Sequence, residues 1–182
     1  MKKILFAILI ALLSGVLIPA HAGTLLKKSH KKTSSVTHIK KIKDTNWVNY
    51  QTEQHFFADF PKATNVKWGH KNFDEATFRN GRINETAYYD FNNNLIGTSR
   101  KVSFSRLPEK AQIEIQKEYP GYDVSNVILF KDNTSNDTDM MLYNTTFEDA
   151  DNYFAELIKG TNKIALKISM DGNVSFFQNI YK

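Results

Sequence analysis

No cysteine occurs anywhere in this chain, so thiol nucleophiles, thiolate metal sites and disulfide bridges are all excluded. Proline is scarce, at 4 residues, too few for a proline-rich disordered chain. There is no apolar run of the ~20 residues that a spanning helix needs. Catalytic signatures are missing too. No nucleophile motif, no His-rich ligand spacing and no paired-acid motif stands out, so the chain reads as a protein without catalytic residues, cofactor or metal.

What is plentiful is aromatic and β-forming material. Of the 182 residues 41% are hydrophobic and 13% aromatic, with 13 Phe and 8 Tyr, enough for a core without staples. Those residue types suit half-buried pleated surfaces, which predicts a strand-rich antiparallel domain.

The ends of the chain differ from its middle. Lys2-Lys3, the apolar run Ile4 to Ile18 and Ala20-His21-Ala22 predict a secretory signal peptide over residues 1–22, hence a periplasmic or secreted protein with no transmembrane anchor after cleavage. Residues 23–43 hold seven lysines between Lys27 and Lys43 and little apolar surface, which predicts a flexible linker with at most weak contact to an anionic surface. From Asp44 onward 15 Lys and Arg face all 19 acids. The folded part is therefore acidic, and with export this excludes nucleic acid as a partner.

Two stretches echo each other. His55 to Trp68, HFFADFPKATNVKW, and Gln116 to Phe130, QKEYPGYDVSNVILF, each join an aromatic-ended helix to a strand through a proline, because a residue before proline leaves the helical region. In the first unit, residues 44–104, Asn49 caps a helix with Phe56, Phe57 and Phe60 as its apolar stripe. Asn80-Gly81 predicts a type I′ hairpin, and Asn92-Asn93-Asn94 a further turn. In the second unit, residues 105–182, Pro108 starts a helix with Ala111, Ile115 and Tyr119 at every fourth position. One strand is predicted over Met140 to Phe147 and another over Lys163 to Met170, with Met170 inward; Asp171-Gly172-Asn173 answers the asparagine turn. An insertion at residues 131–151 is expected to protrude as a long hairpin with Asp132 to Asp139 as its solvated tip. That tip has oxygen ligands but lacks the turn glycine and distal acid of an EF-hand. The expected architecture is α+β, a tandem repeat of helix plus antiparallel β-meander forming one sheet with helices on one face.

Four ordered motifs, F-x-x-x-F-P-x-A-x-x-V-x-W at Phe56 to Trp68, Y-Y-D-x-N-x-N-L at Tyr88 to Leu95, L-P-x-x-A at Leu107 to Ala111 and Y-P-G-Y at Tyr119 to Tyr122, resemble the PepSY-like, beta-lactamase-inhibitor-like family of exported bacterial proteins. The resemblance implies a helix-plus-sheet unit used twice, export, and non-catalytic binding. It brings no functional residues with it.

Strand alternation supplies candidate binding residues. Ile83, Ala87, Tyr89 and Phe91 share one face and Tyr88 the other; on the last strand Val174, Phe176 and Ile180 face inward while Phe177 and Tyr181 point out. With helices on the first face, Tyr88, Phe177 and Tyr181, joined by Arg79 and Lys167, predict an open face that recognises a protein or peptide partner, in the manner of an inhibitor. The rival readings are an envelope hydrolase that uses His55 or His70 with Asp74, Glu75 or a serine, and a surface-attachment protein acting through the basic leader, Lys27 to Lys43.

Overall fold

The computed structural model describes residues 48–180. The expected signal peptide, the lysine-rich linker and Tyr181 lie outside the described residues.

Helix α1 (Tyr50–Asp59) begins where expected, with the Asn49 side chain accepting a hydrogen bond from the Gln51 amide at 3.0 Å. Its buried stripe is Thr52 and Phe56, continued by Phe60 at the C-cap; Phe57 lies 44% exposed, one position off the stripe. Residues spaced by four stack on one helix face, which is why Thr52 and Phe56 turn inward together. Helix α2 (Glu109–Glu118) buries Ala111 and Ile115 and ends at Tyr119, with Pro108 as its N-cap. Both helices close with the cap amide bonded four residues back, Phe60 to Phe56 and Tyr119 to Ile115, just before Pro61 and Pro120.

Among the described residues there are ten strands, all paired antiparallel: β1 (Ala63–His70), β2 (Asp74–Asn80), β3 (Ile83–Tyr89) and β4 (Leu95–Lys101) between the helices, then β5 (Asp123–Asp132), β6 (Met140–Leu142), β7 (Thr145–Phe147), β8 (Asn152–Lys159), β9 (Asn162–Ser169) and β10 (Val174–Asn179). Eight of them form one sheet in the order β1-β2-β3-β4-β5-β8-β9-β10, and β6 pairs with β7. The fold is α+β, dominated by this antiparallel sheet.

Both helices lie on the same side of the sheet. Under α1 sit Ala76, Phe78, Ala87 and Tyr89; under α2 sit Val127, Leu129, Ala155, Leu157, Leu166 and Ile168. Alanines at Ala76 and Ala87, directly opposite each other, let the Phe56 ring settle against the strands, edge-on to Phe78 at 5.0 Å and to Trp68 at 5.2 Å. Trp68 is thus a core residue rather than a surface anchor.

Several expectations change at the strand ends. The Asn80-Gly81 corner is a two-residue loop of Gly81 and Arg82, because Asn80 still pairs with Ile83, and Gly81 has φ 62°. A positive φ at the first central residue alone makes the turn type II′, not I′. Phe91 is 85% exposed: Asp90 Oδ1 accepts the amides of Asn92 and Asn94 at 2.8 and 2.9 Å, which puts Phe91 in a turn rather than on the strand. Met170 likewise turns outward at the end of β9.

The largest departure is the insertion. Met140 to Phe147 is a hairpin of two three-residue strands, turned by Tyr143 and Asn144 at φ 52° and 61°, and it folds back over the sheet face opposite the helices. Asp132 belongs to β5, and Asn133 and Asn136 donate side-chain hydrogen bonds to the Leu95 carbonyl at 2.8 and 3.1 Å. Docked polar residues of this kind do not form a solvated tip. The physical reason is apolar: Met140 and Phe147 bury against Tyr88, Ile96, Phe130 and Phe154, which a protruding hairpin would leave in water.

Candidate partner-binding face

The face opposite the helices is divided. One part lies under the β6–β7 hairpin; the other is open.

In the covered part, Phe147 sits edge-on to Phe130 at 5.1 Å and against Phe154 at 4.8 Å, and Phe177 packs on Phe154 at 5.0 Å. Polar links hold the hairpin's ends. Tyr143 donates to Glu156 Oε1 at 2.7 Å, Lys163 Nζ lies 2.7 Å from Glu156 Oε2, and Lys167 Nζ reaches both Glu148 oxygens at 2.5 and 2.7 Å. Burial pushes the Glu156 carboxyl up, but Lys163, Tyr143 and Asn126 together outweigh it and hold it below its ordinary range. Lys167 holds the Glu148 carboxyl low in the same way.

Tyr88, expected at the centre of an open face, is 8% exposed under this cover. Alternation aims it correctly away from the helices, but its hydroxyl is 2.8 Å from Ser99 Oγ, and burial pushes its phenol above the usual range. Phe177 is half-buried beside Phe147 and Phe154, and Lys167 is held by Glu148. A bulge between Phe176 and Gln178 shifts the β10 register. Phe176, expected inward, is 54% exposed at the sheet edge.

Arg79 lies in the open part. It is exposed, and its Nε donates to the Gly81 carbonyl at 3.0 Å. Beside it a groove of about 740 Å³ is lined by residues that include Thr77, Arg82, Asn84, Thr86, Arg100 and Lys101. Thr77 and Thr86 hydroxyls touch at 3.1 Å across β2 and β3. The structure therefore brings Arg79 together with hydroxyl and cationic side chains that sequence reasoning did not select. Their signal was present as polar residues alternating with Ala76, Phe78 and Ala87. Nothing local marked the hairpin that removes Tyr88 from the surface.

The histidines lie elsewhere. His70 Nδ1 is 2.6 Å from Asp74 Oδ1, at the β1–β2 corner, and Thr52 donates to Asp74 Oδ2 at 2.9 Å. This hydroxyl is fully buried and meets the carboxylate rather than the imidazole. His55 Nδ1 lies 2.5 Å from the Asn93 carbonyl. His55 thus links α1 to the Asp90–Asn94 turn, and His70 closes the corner of its own hairpin. Among the described residues no group of three or more His, Cys, Asp or Glu is arranged to hold a metal ion, and no helix is long and apolar enough to cross a membrane.

Helices on one side of an eight-stranded antiparallel sheet form a fold that solved structures share. Among solved structures the chain is similar to a BLIP-like protein from Bacteroides fragilis, with 17% identity, TM-score 0.58, and coverage of 76% of this chain and 92% of that one. It is also similar to a DUF2874 family protein from Bacteroides uniformis, at 14% identity and TM-score 0.60, covering 74% and 91% of the two chains. A third similar structure, from Bacteroides eggerthii and carrying a periplasmic designation, has 13% identity and TM-score 0.59 over 74% and 90%. No family model and no curated protein matches the sequence.

Proposed function

We propose that this chain is an exported, non-enzymatic binding protein that recognises a protein or peptide partner with the open part of the sheet face opposite its helices. The observation that carries the reading is the division of that face. A hairpin clamps down the aromatic half, while the half around Arg79, Thr77, Thr86 and Lys101 stays accessible as a groove. A polar and cationic groove on a rigid sheet suits recognition by shape and hydrogen bonding. The reading of residues 1–22 as a signal peptide supports export, as does the periplasmic designation of one structural neighbour. An inhibitor-like role is the reading that the BLIP-like neighbour favours.

The fold arises, in this reading, by duplication of a PepSY-like unit. Each helix is followed by four strands of the large sheet. Corresponding corners share their chemistry: Gly81 and Gly160 have φ 62° and 59° in two-residue loops. The turns Asp90 to Asn94 and Ser169 to Asn173 carry the same pair of backbone hydrogen bonds, at 3.0 and 3.0 Å and at 3.0 and 2.9 Å.

Affinity capture from an envelope extract, with the full chain immobilised, tests the function. Thr77→Arg combined with Arg79→Glu changes two exposed side chains, so capture should be lost while the far-ultraviolet circular dichroism is kept. Capture that survives this double change would refute the proposed face.

A further inference from the structure

The sheet carries a notch at the centre of its open half. Strands β3 and β4 pair from Tyr89 opposite Leu95 to Thr86 opposite Ser99, and there their ladder stops. Each strand goes on without the other. Pairing of β3 with β2 continues to Asn80 opposite Ile83, and pairing of β4 with β5 continues to Lys101 opposite Ile128. Ile83 to Glu85 and Arg100 to Lys101 therefore face one another without a shared ladder, and the ~740 Å³ groove lies between them. Had the register continued, Glu85 would stand opposite Arg100. Their side chains instead meet loosely, Nη1 to Oε1 at 3.8 Å.

Backbone N–H and C=O groups in the middle of a sheet call for partners, and where strands splay those partners come from solvent or from another chain. An added strand also presents alternate side chains to one face. On the side opposite the helices the cations beside the notch are Lys101 on β4, Arg82 in the β2–β3 loop and Arg79 on the adjacent strand, while Arg100 and Glu85 alternate to the helix side. Among the described residues Arg79, Arg82 and Lys101 make no ion pair with a carboxylate. Thr77 and Thr86 add hydroxyls that hydrogen-bond a carboxylate or an amide.

Resting on the binding-face reading above, we infer that the notch takes an extended peptide segment with carboxylates at alternate positions, which adds as a strand to the splayed ends of β3 and β4. Main-chain hydrogen bonds supply affinity, and the cations select acids at every second residue. The partner is thus an acidic, unstructured or edge-strand segment of a protein.

The test uses the full chain and a short fluorescein-labelled peptide alternating Glu and Thr, read by fluorescence anisotropy. Three controls accompany it: the Lys-and-Thr counterpart, the acidic peptide N-methylated at every second amide, and inorganic polyphosphate as competitor. The acidic peptide should bind, its two altered forms should not, and Arg82→Glu with Lys101→Glu should weaken binding at least about tenfold. Both residues are exposed, and an unchanged thermal melt confirms that the variant folds. Equal binding of the N-methylated peptide, equal affinity for polyphosphate, or indifference to the double reversal each overturns strand addition. If the peptide fails to bind while Thr77→Arg with Arg79→Glu still abolishes protein capture, the notch is refuted and the binding face stands.

Discussion

Replacing Phe147 by alanine should lift the β6–β7 hairpin from the sheet without unfolding the rest. In a closed core a Phe→Ala change costs about 3–5 kcal/mol, because surrounding atoms cannot fill the cavity. Here the surroundings can move. The ring is 4% exposed and lies among Phe130, Phe154 and Phe177, but it is carried by two three-residue strands. An isolated two-stranded hairpin is marginal in water. Its docking depends on Phe147 and Met140, each worth roughly 1.5–3 kcal/mol of burial, offset by the ordering of the turn. Loss of one anchor therefore removes about 3 kcal/mol of local stability, roughly a hundredfold in the opening equilibrium. Amide hydrogen exchange is the assay. Amides of residues 140–147 should exchange roughly a hundredfold faster than in the parent chain while those of β5 and β8 keep their protection. Newly exposed Tyr88, Phe130 and Phe154 should raise the fluorescence of a hydrophobic dye. If all strands lose protection together, the hairpin is an integral part of the core and the reasoning fails.

Acid should loosen the same hairpin. The Glu156 and Glu148 carboxyls are held below the ordinary value of 4.5 in the folded chain, so their contribution is complete above that value and is lost as the pH falls through the lowered one. Asp132 and Asp149 act in the opposite sense, since burial and neighbouring aspartates raise them. Glu156→Gln should remove much of the acid step from the exchange profile of residues 140–147, and a profile identical to the parent's would contradict the clamp. Gly97→Ala should destabilise the whole sheet by roughly 1–3 kcal/mol. A Cβ there would come within 2.5 Å of the Lys131 carbonyl oxygen and 2.6 Å of the Phe130 ring; urea unfolding midpoints equal to the parent's would refute that close approach.

Local chemistry accounts for much of the architecture. Asn49 as a cap, the residues every fourth position in both helices, Pro61 and Pro120 as stops, and the alternation of β2 and β9 are interactions between near neighbours, and each is readable as a string. Even the direction of Tyr88, away from the helices, follows from the two-residue period of a strand. What covers Tyr88 does not. Burial of Tyr88 depends on Phe147, far along the chain, and the pairing of Met140 and Phe147 with this face has no local signal because any apolar surface attracts any other. The exposure of Phe176 rests on a one-residue bulge, and the groove beside Arg79 on the place where two strands part. Spacing and turn chemistry thus determined the helices, the longer strands and, away from bulges and strand ends, the side on which their residues face. Tertiary packing alone decided which of those residues meet solvent, since exposure belongs to the assembled surface and not to any stretch of chain.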